Sequence, residues 1–277
     1  MLEQMLGRYT TLTETQKQHA LREVMQEVAL AGLYRGGFFE KAAFYGGTCL
    51  RIFYDLPRYS EDLDFSLLKP QADFSLQPYF DAVVAEFAAL GLDVSISQKK
   101  KTASTAIESA FLKNDTQIVV LDFSGVQVKI KFEVDTRPPL GFNTEERLLI
   151  EPFSFYVKCF SLPDLYAGKM HALLFRQWKN RIKGRDWFDF EWYVRRSAAL
   201  NLAHFNERAI QSGDLVEPVD EQGFLRLLKQ RIGAVDFENA KLDAERFVSN
   251  PRVLDIWSRD YFMELAQRVI PPKNNRD

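Results

Sequence analysis

The chain has 277 residues, of which 46% are hydrophobic, so it can bury a core and is not predicted to be disordered. Its formal net charge of −2 excludes a global positive field that would attract nucleic acid, so a polyanion site must be a local basic patch. No stretch approaches the roughly 18 consecutive apolar residues of a membrane span, and no secretory signal is visible, so we expect a cytoplasmic protein with no membrane partner.

Helical and strand periodicities alternate in the first part of the chain. Apolar residues at helical spacing follow Thr13, and Gly32 is predicted to end this first helix. Further elements are predicted in chain order: a strand at 41–45, a helix at 48–54, a strand at 62–68 and a helix at 73–90.

The periodicity then changes to that of strands, and later back to that of helices. Strands are predicted at 92–98, 105–112, 116–123, 126–135 and 153–160, with a hairpin turn at 122–125. From Leu162 onward the pattern is helical. We therefore predict an α+β fold, with a mixed β-sheet domain and flanking helices at 1–161, followed by an all-helical domain at 162–277.

Two glycines, Gly46 and Gly47, separate the first predicted strand from the helix that follows it. Glycines let the backbone approach a ligand closely, and the start of a helix offers free N–H groups to an anion. Thr48 adds a hydroxyl group. Taken alone, the pattern favours a simple tight turn over a phosphate site.

Asp62 and Asp64 lie two residues apart on the next predicted strand, so their carboxylates point the same way. Such a pair repels unless water, a cation or a basic group separates the two charges. Mg²⁺ prefers carboxylate oxygens and often binds phosphates as well. Next to a phosphate site the pair indicates a metal–triphosphate site, and the alternative is a solvated pair at a strand edge.

The strand predicted at 126–135 offers a third acid. Lys129, Lys131, Glu133 and Asp135 alternate with apolar residues and therefore share one face. This face is either exposed, with ion pairs between strands, or it places a carboxylate beside the first two acids.

These residues carry a resemblance to a known family. The pattern is Gly46-Gly47-Thr48, then Leu50, then Arg58-x-Ser60-x-Asp62-x-Asp64. It resembles the signature of nucleotidyltransferases of the DNA polymerase β-like superfamily, and most of all the AbiEii/AbiGii toxin branch, which includes the MenT-type toxins. Segment 165–174, LYAGKMHALL, is similar to the lysine helix of that branch, and segment 185–189, RDWFD, resembles its RD-x-x-D helix.

The resemblance implies a role for each matching residue. Metal ligands would be Asp62 and Asp64 with a third acid, for which Glu133 ranks above Asp135. Lys169 would contact the triphosphate, and Asp186 would orient that lysine or a substrate hydroxyl, both from helices that the helical domain contributes to the cleft. The nucleotide-binding residues would be Gly46, Gly47, Thr48, Arg58, Ser60 and Arg176.

Asp186 and Asp189 also support a site independently of the resemblance. On a helix the two acids lie between aromatic residues, so they should be paired, with Arg185 or Lys169 as partners. A purely structural ion pair is the alternative. The basic segment 179–185 precedes this helix and is a weak candidate for contacting the end of a tRNA. The lysine run 99–101 is predicted to be a solvated loop.

The resemblance implies a function: transfer of a nucleoside monophosphate from a nucleoside triphosphate to an acceptor hydroxyl, with Mg²⁺ as cofactor. The implied acceptor is RNA, above all the 3′ end of tRNA, and the implied role is that of a toxin with a cognate antitoxin. Two alternatives stay open. One is an enzyme that nucleotidylates a protein, and the other is a nucleotide-binding interaction module without transfer activity.

Overall fold

The computed structural model describes residues 1–10, 13–99, 116–123, 128–176 and 182–269. Contacts within the chain group its residues into two compact units. The first comprises Met1–Asp55, Tyr59–Pro138 and Thr144–Phe160, and the second comprises Leu56–Arg58, Pro139–Asn143 and Ser161–Asp277. No helix in the described ranges has the length and apolar character that crossing a membrane requires.

The first unit is built on a mixed sheet of the order β3-β4-β5-β2-β1-β7-β6. Its strands are β1 (Ala42–Tyr45), β2 (Asp62–Leu67), β3 (Val94–Lys99), β4 (Thr116–Phe123), β5 (Lys129–Asp135), β6 (Thr144–Leu149) and β7 (Phe155–Phe160). The β2–β5 and β1–β7 pairs are parallel, and the other pairs are antiparallel. The central position of β2 places the two aspartates of the sequence motif between two neighbouring strands.

Alternation along β2 separates a core face from an acidic face. Leu63 and Phe65 are fully buried, while Asp62 and Asp64 are part-exposed. The Phe65 ring meets three other buried rings, of Phe38, Phe44 and Phe132, with centroids 5.0 to 6.0 Å away. This aromatic core fixes the strand, so the acids on its other face have a defined backbone position.

The described residues of this unit also form the helices α1 (Leu2–Leu6), α2 (Glu14–Arg35), α3 (Gly46–Tyr54) and α4 (Phe80–Ala89). The prediction that Gly32 ends the first helix is wrong, because α2 continues to Arg35. A Cβ atom on Gly32 would lie 2.5 Å from the Val83 Cα atom. The glycine therefore permits a close approach between α2 and α4 rather than a helix stop.

The structure also departs from the sequence predictions at α4 and at β6. The helix predicted from residue 73 begins only at Phe80. Phe74 and Leu76 lie in an irregular segment before it, and both side chains are buried. Their spacing in the sequence resembles that of a helix, which explains the early predicted start. Strand β6 was missed, since its sequence TEERLL is mostly polar and it pairs with β7 alone. The strand predicted at 105–112 and residues 124–125 of the predicted turn fall outside the described residues, while Asp122 and Phe123 end β4.

The second unit is helical. Its helices are α5 (Leu162–Phe175), α6 (Gly184–Arg195), α7 (Leu202–Ser212), α8 (Glu221–Ala234), α9 (Phe237–Ala244) and α10 (Arg259–Ala266). Trp187 of α6 packs edge-on against Phe237 and Phe262, with both centroids 5.1 Å away. The α+β fold class predicted from the sequence is confirmed by the mixed sheet and these helices.

Candidate active site

Strand β1 passes directly into α3 through Gly46, which has a φ of +83°. A Cβ atom at this position would lie 2.2 Å from Oδ2 of Asp64. Asp64 stands opposite Tyr45 in the antiparallel β1–β2 register, which carries its carboxylate to the turn. The glycine turn and the second acid of the motif thus meet at the N-terminal end of α3, where backbone N–H groups are available to an anion.

The third acid is positioned by the parallel β2–β5 register. Asp62 lies beside Lys131, Asp64 beside Glu133, and Ser66 beside Asp135. Neighbours in register point to the same side of a sheet and have backbones about 4.8 Å apart. Glu133 is therefore adjacent to Asp64, whereas Asp135 lies one pair further along the strands.

Lys131 occupies the face that these acids share. Its Nζ forms an ion pair with Oε1 of Glu133. Burial lowers the pKa of Lys131, but the contact with Glu133 and the charges of Asp62 and Asp64 outweigh that effect, so the pKa is raised. The carboxylates are thus held together by a cation that belongs to the chain.

The donor set fits a hard divalent cation, because carboxylate oxygens are the ligands that Mg²⁺ prefers and the lysine ammonium already marks a place for positive charge. Within the described ranges, no three His, Cys, Asp or Glu side chains are gathered in a ready-made metal cluster. The set therefore fits the ion by its chemistry and its register, with the Lys131 ammonium paired to Glu133.

Thr48 and Ser60 lie near the acids through backbone contacts. The Thr48 side chain is fully buried, and its hydroxyl donates to the Asp62 carbonyl at 2.5 Å, which ties α3 to the start of β2. The carbonyls of Ser60 and Glu61 accept from Nε2 of Gln26 on α2 at 3.3 and 2.9 Å. Thr48 and Ser60 thus both help to fix the start of β2, the strand that carries Asp62 and Asp64.

A second cluster of candidate residues is built within the helical unit around Asp189. This buried carboxylate accepts from Nε and Nη2 of Arg58 at 2.6 and 2.7 Å, and Nζ of Lys169 lies 2.7 Å away. Lys169 also lies 4.0 Å from Asp186. Burial raises the pKa of Asp189, but the two cations outweigh it and lower that pKa to about 2.

The sequence predicted that Lys169 or Arg185 would partner these acids, and Lys169 does so. It did not predict the pairing of Arg58 with Asp189. Arg58 is only 2% exposed and two of its guanidinium nitrogens bind this buried carboxylate, and the nucleotide contact assigned to it stays a prediction. Arg185 instead places its guanidinium over the Phe247 ring, 3.9 Å from the centroid.

Positive charge accumulates around Lys183, just before α6. Asp186 acts to raise the pKa of Lys183, but burial and the charges of Arg176, Lys169 and Arg185 together lower it to about 8. The cations around Lys183 outnumber the acids there, so the local net charge is positive and suits the binding of an anion. Residues 179 and 181 of the basic segment, and the lysines at 100 and 101, lie outside the described residues.

The fold and the first cluster define a class of protein. A strand, a glycine turn and a helix N-terminus are followed by a central strand whose two aspartates are separated by one residue, and this is the arrangement of a nucleotidyltransferase. Several solved structures share the fold. One of them, a crystal structure of a candidate nucleotidyltransferase from H. pylori, is 17% identical, with a TM-score of 0.53 over 92% of this chain and 95% of that chain.

Another is JHP933 from Helicobacter pylori, 19% identical, with a TM-score of 0.51 over 93% of this chain and 92% of that chain. A family model described as nucleotidyl transferase AbiEii toxin, type IV toxin–antitoxin system, matches residues 28–268. The chain belongs to this AbiEii family of nucleotidyltransferase toxins. The family predicted from the sequence is thereby confirmed. No curated protein matches the chain.

Proposed function

We propose that the protein is a Mg²⁺-dependent nucleotidyltransferase that moves a nucleoside monophosphate from a nucleoside triphosphate to the 3′ end of tRNA. The observation that carries this proposal is the contact of Asp64 with the glycine turn, together with the β2–β5 register that sets Glu133 beside it. Backbone N–H groups at the start of a helix and carboxylates thus lie close together, which supports transfer from a metal-bound triphosphate.

Each residue of the first cluster has a role in this proposal. The backbone at Gly46 and Gly47 holds phosphate oxygens at the start of α3, and Asp62, Asp64 and Glu133 hold Mg²⁺, with Asp135 the less favoured third acid. Bound Mg²⁺ supplies charge neutralisation at the reacting phosphate. The acceptor oxygen forms a bond to the α-phosphorus, the bond to pyrophosphate breaks, and the hydroxyl proton passes to solvent.

The helical unit holds a second group of residues with a proposed role. Lys169 is the residue proposed to neutralise charge on the departing pyrophosphate. Its ammonium lies between Asp186 and Asp189, and Asp189 is itself fixed by Arg58. These ion pairs fix the orientation of the Lys169 side chain. A lysine that only covered apolar surface would extend its ammonium into solvent instead. Arg176 adds a further positive charge.

Family membership supports the biological part of the proposal. The family is that of toxins in type IV toxin–antitoxin systems, so a cognate antitoxin is a proposed partner. Addition of a nucleotide to the 3′ end of tRNA would prevent aminoacylation and arrest growth. The basic residues around Lys183 are proposed to contact phosphates of that RNA.

Label transfer tests the proposal. Purified protein is incubated with Mg²⁺ and each α-³²P-labelled nucleoside triphosphate, together with either total tRNA or a protein lysate. We expect label on tRNA with the wild type, and a loss of at least ~100-fold with Asp64→Asn or Lys169→Met. Asp81→Asn and Lys229→Met change exposed residues of the same types and serve as matched controls.

The outcomes separate the alternatives. Label on protein instead of tRNA would keep the chemistry and replace the acceptor. Absence of label in every mixture, with nucleotide binding intact, would support a binding module without transfer. Near-normal rates in Asp64→Asn would contradict the assigned site.

A further inference from the structure

The acidic face of the first unit carries a cation of its own. Lys131 lies beside Asp62 in the β2–β5 register, and its Nζ pairs with Glu133 two residues along the same strand. Lys131 also interacts electrostatically with Asp62 and Asp64. One ammonium therefore neutralises part of the charge of the three carboxylates to which the proposed function assigns Mg²⁺.

The Lys131 ammonium and a divalent cation cannot both bind these three carboxylates as strongly as each would alone. The two cations repel each other at such short range, and Glu133 has to exchange one partner for the other. Lys131 is able to leave, since its side chain is 37% exposed and its long stem lets Nζ move into solvent without a change in the strand.

We propose that Lys131 is a resident counter-ion that competes with the divalent cation for Asp62, Asp64 and Glu133. It leaves these carboxylates when metal and nucleotide bind together. This inference rests on the proposed function, because that function supplies the metal and the triphosphate.

Competition of this kind couples the binding of metal to the binding of nucleotide. A metal ion alone must displace the ammonium into solvent, whereas a metal–nucleotide complex brings phosphate oxygens with which the displaced ammonium can pair. Metal and nucleotide then strengthen each other's binding, and by linkage the effect is reciprocal. Lys131 thereby disfavours a metal-loaded protein that lacks its nucleotide.

Mn²⁺ binding, followed by electron paramagnetic resonance of the free ion, tests the inference without any turnover. The proteins are the wild type, Lys131→Met, Lys129→Met and the double variant Asp62→Ala/Asp64→Ala. Lys129 is an exposed lysine on the same face of β5, just before the paired register, and is the matched control. Each protein is titrated alone and with the α,β-methylene analogue of each of the four nucleoside triphosphates.

Lys131→Met keeps the apolar stem and removes the charge, so we expect it to bind Mn²⁺ without nucleotide about tenfold more tightly than the wild type. The analogue should tighten Mn²⁺ binding markedly in the wild type and less in Lys131→Met. Lys129→Met should behave as the wild type, and the double aspartate variant should lose the site. Lys131→Gln, with its unfolding temperature measured, separates loss of charge from a folding defect.

Two results would overturn the inference in distinguishable ways. If the wild type binds Mn²⁺ through Asp62 and Asp64 but both neutral variants of Lys131 bind it no more tightly, competition is wrong and the metal site stands. If neither the wild type nor Lys131→Met binds Mn²⁺ in a manner that depends on the two aspartates, the inference and the metal-dependent function both fall.

Discussion

At the scale of single residues, the site depends on how closely Asp64 approaches the backbone at Gly46. The absent side chain is what makes room for the carboxylate, and the φ of +83° is a conformation that other residues rarely adopt. Both requirements fall on the same residue. The turn is thus specified by space and by backbone conformation together.

Gly46→Ala should abolish transfer activity, since its methyl group would displace the Asp64 carboxylate. Gly91→Ala is the control, because Gly91 has a φ of +72° but a Cβ there would meet nothing within 4 Å. Both variants carry backbone strain of about 1–2 kcal/mol. Only Gly46→Ala should lose label transfer and Mn²⁺ binding while remaining folded by circular dichroism. Full activity in that variant would show that the contact is not needed.

At the scale of elements, close backbone contacts decide where helices pack. The N–H groups at the start of α2 are capped by Thr13, whose hydroxyl accepts from the Gln16 amide at 3.2 Å, and the helix continues through Gly32 against α4. A glycine inside a helix is unfavourable by itself. The close approach to Val83 explains why it is there.

Gly32→Ala should therefore destabilise the first unit although alanine is the better helix former. The new methyl would lie 2.5 Å from the Val83 Cα, and such overpacking costs about 1–3 kcal/mol. Gly233→Ala in α8 meets nothing within 4 Å and should be neutral or stabilising by up to ~1 kcal/mol. Urea unfolding measures both. A stabilised Gly32→Ala would disprove the close packing of α2 and α4.

The segment that follows α1 contacts a buried acid of α2, Glu27, whose pKa is shifted. Arg8 pairs with Glu27 at 2.5 Å, and Tyr9 donates to Glu23 at 3.0 Å. Burial raises the pKa of Glu27 to about 7 from 4.5, despite the opposing effect of Arg8. The folded protein thus keeps this proton to higher pH than the unfolded chain.

Folding stability should consequently fall, through Glu27, as pH rises from about 4.5 to about 7. Glu27→Gln removes the titrating carboxyl group. The slope of its unfolding free energy against pH should therefore differ from that of the wild type by at most ~1.4 kcal/mol per pH unit in that window. His204, whose pKa burial lowers to about 3, acts in the opposite direction in both proteins and cancels in the difference.

Chemical denaturation at several pH values measures the effect. Glu14→Gln on the same helix is the control for the Glu→Gln change itself, since its side chain is 75% exposed. A Glu27→Gln curve that runs parallel to that of the wild type would contradict the proposed titration.

At the scale of the whole molecule, the second unit is not one continuous segment. It takes in Leu56–Arg58 and Pro139–Asn143 as well as the chain from Ser161 onward. The short first segment supplies Arg58, the bidentate partner of the buried Asp189. A residue just before the acidic strand of the sequence motif is therefore part of the helical unit.

Arg58→Met should destabilise the second unit by about 3–5 kcal/mol, because it removes a cation from a buried carboxylate. It should also lower transfer activity, since Asp189 helps to direct Lys169. Arg252→Met, at an exposed arginine of the same unit, should change the free energy of unfolding by less than ~0.5 kcal/mol. Equal stability of the two variants in denaturant titrations would rule out a structural role for the Arg58–Asp189 pair.

The sequence by itself determined the α+β class, the glycine turn, the aspartate pair and the family, because these depend on periodicity and on motifs that are local in the chain. Only the tertiary structure placed Glu133 rather than Asp135 beside Asp64, joined Arg58 to Asp189, and showed why Gly32 lies within a helix. Strand register, buried ion pairs and helix contacts join residues far apart in the chain. They are set by how the elements pack, which no local pattern encodes.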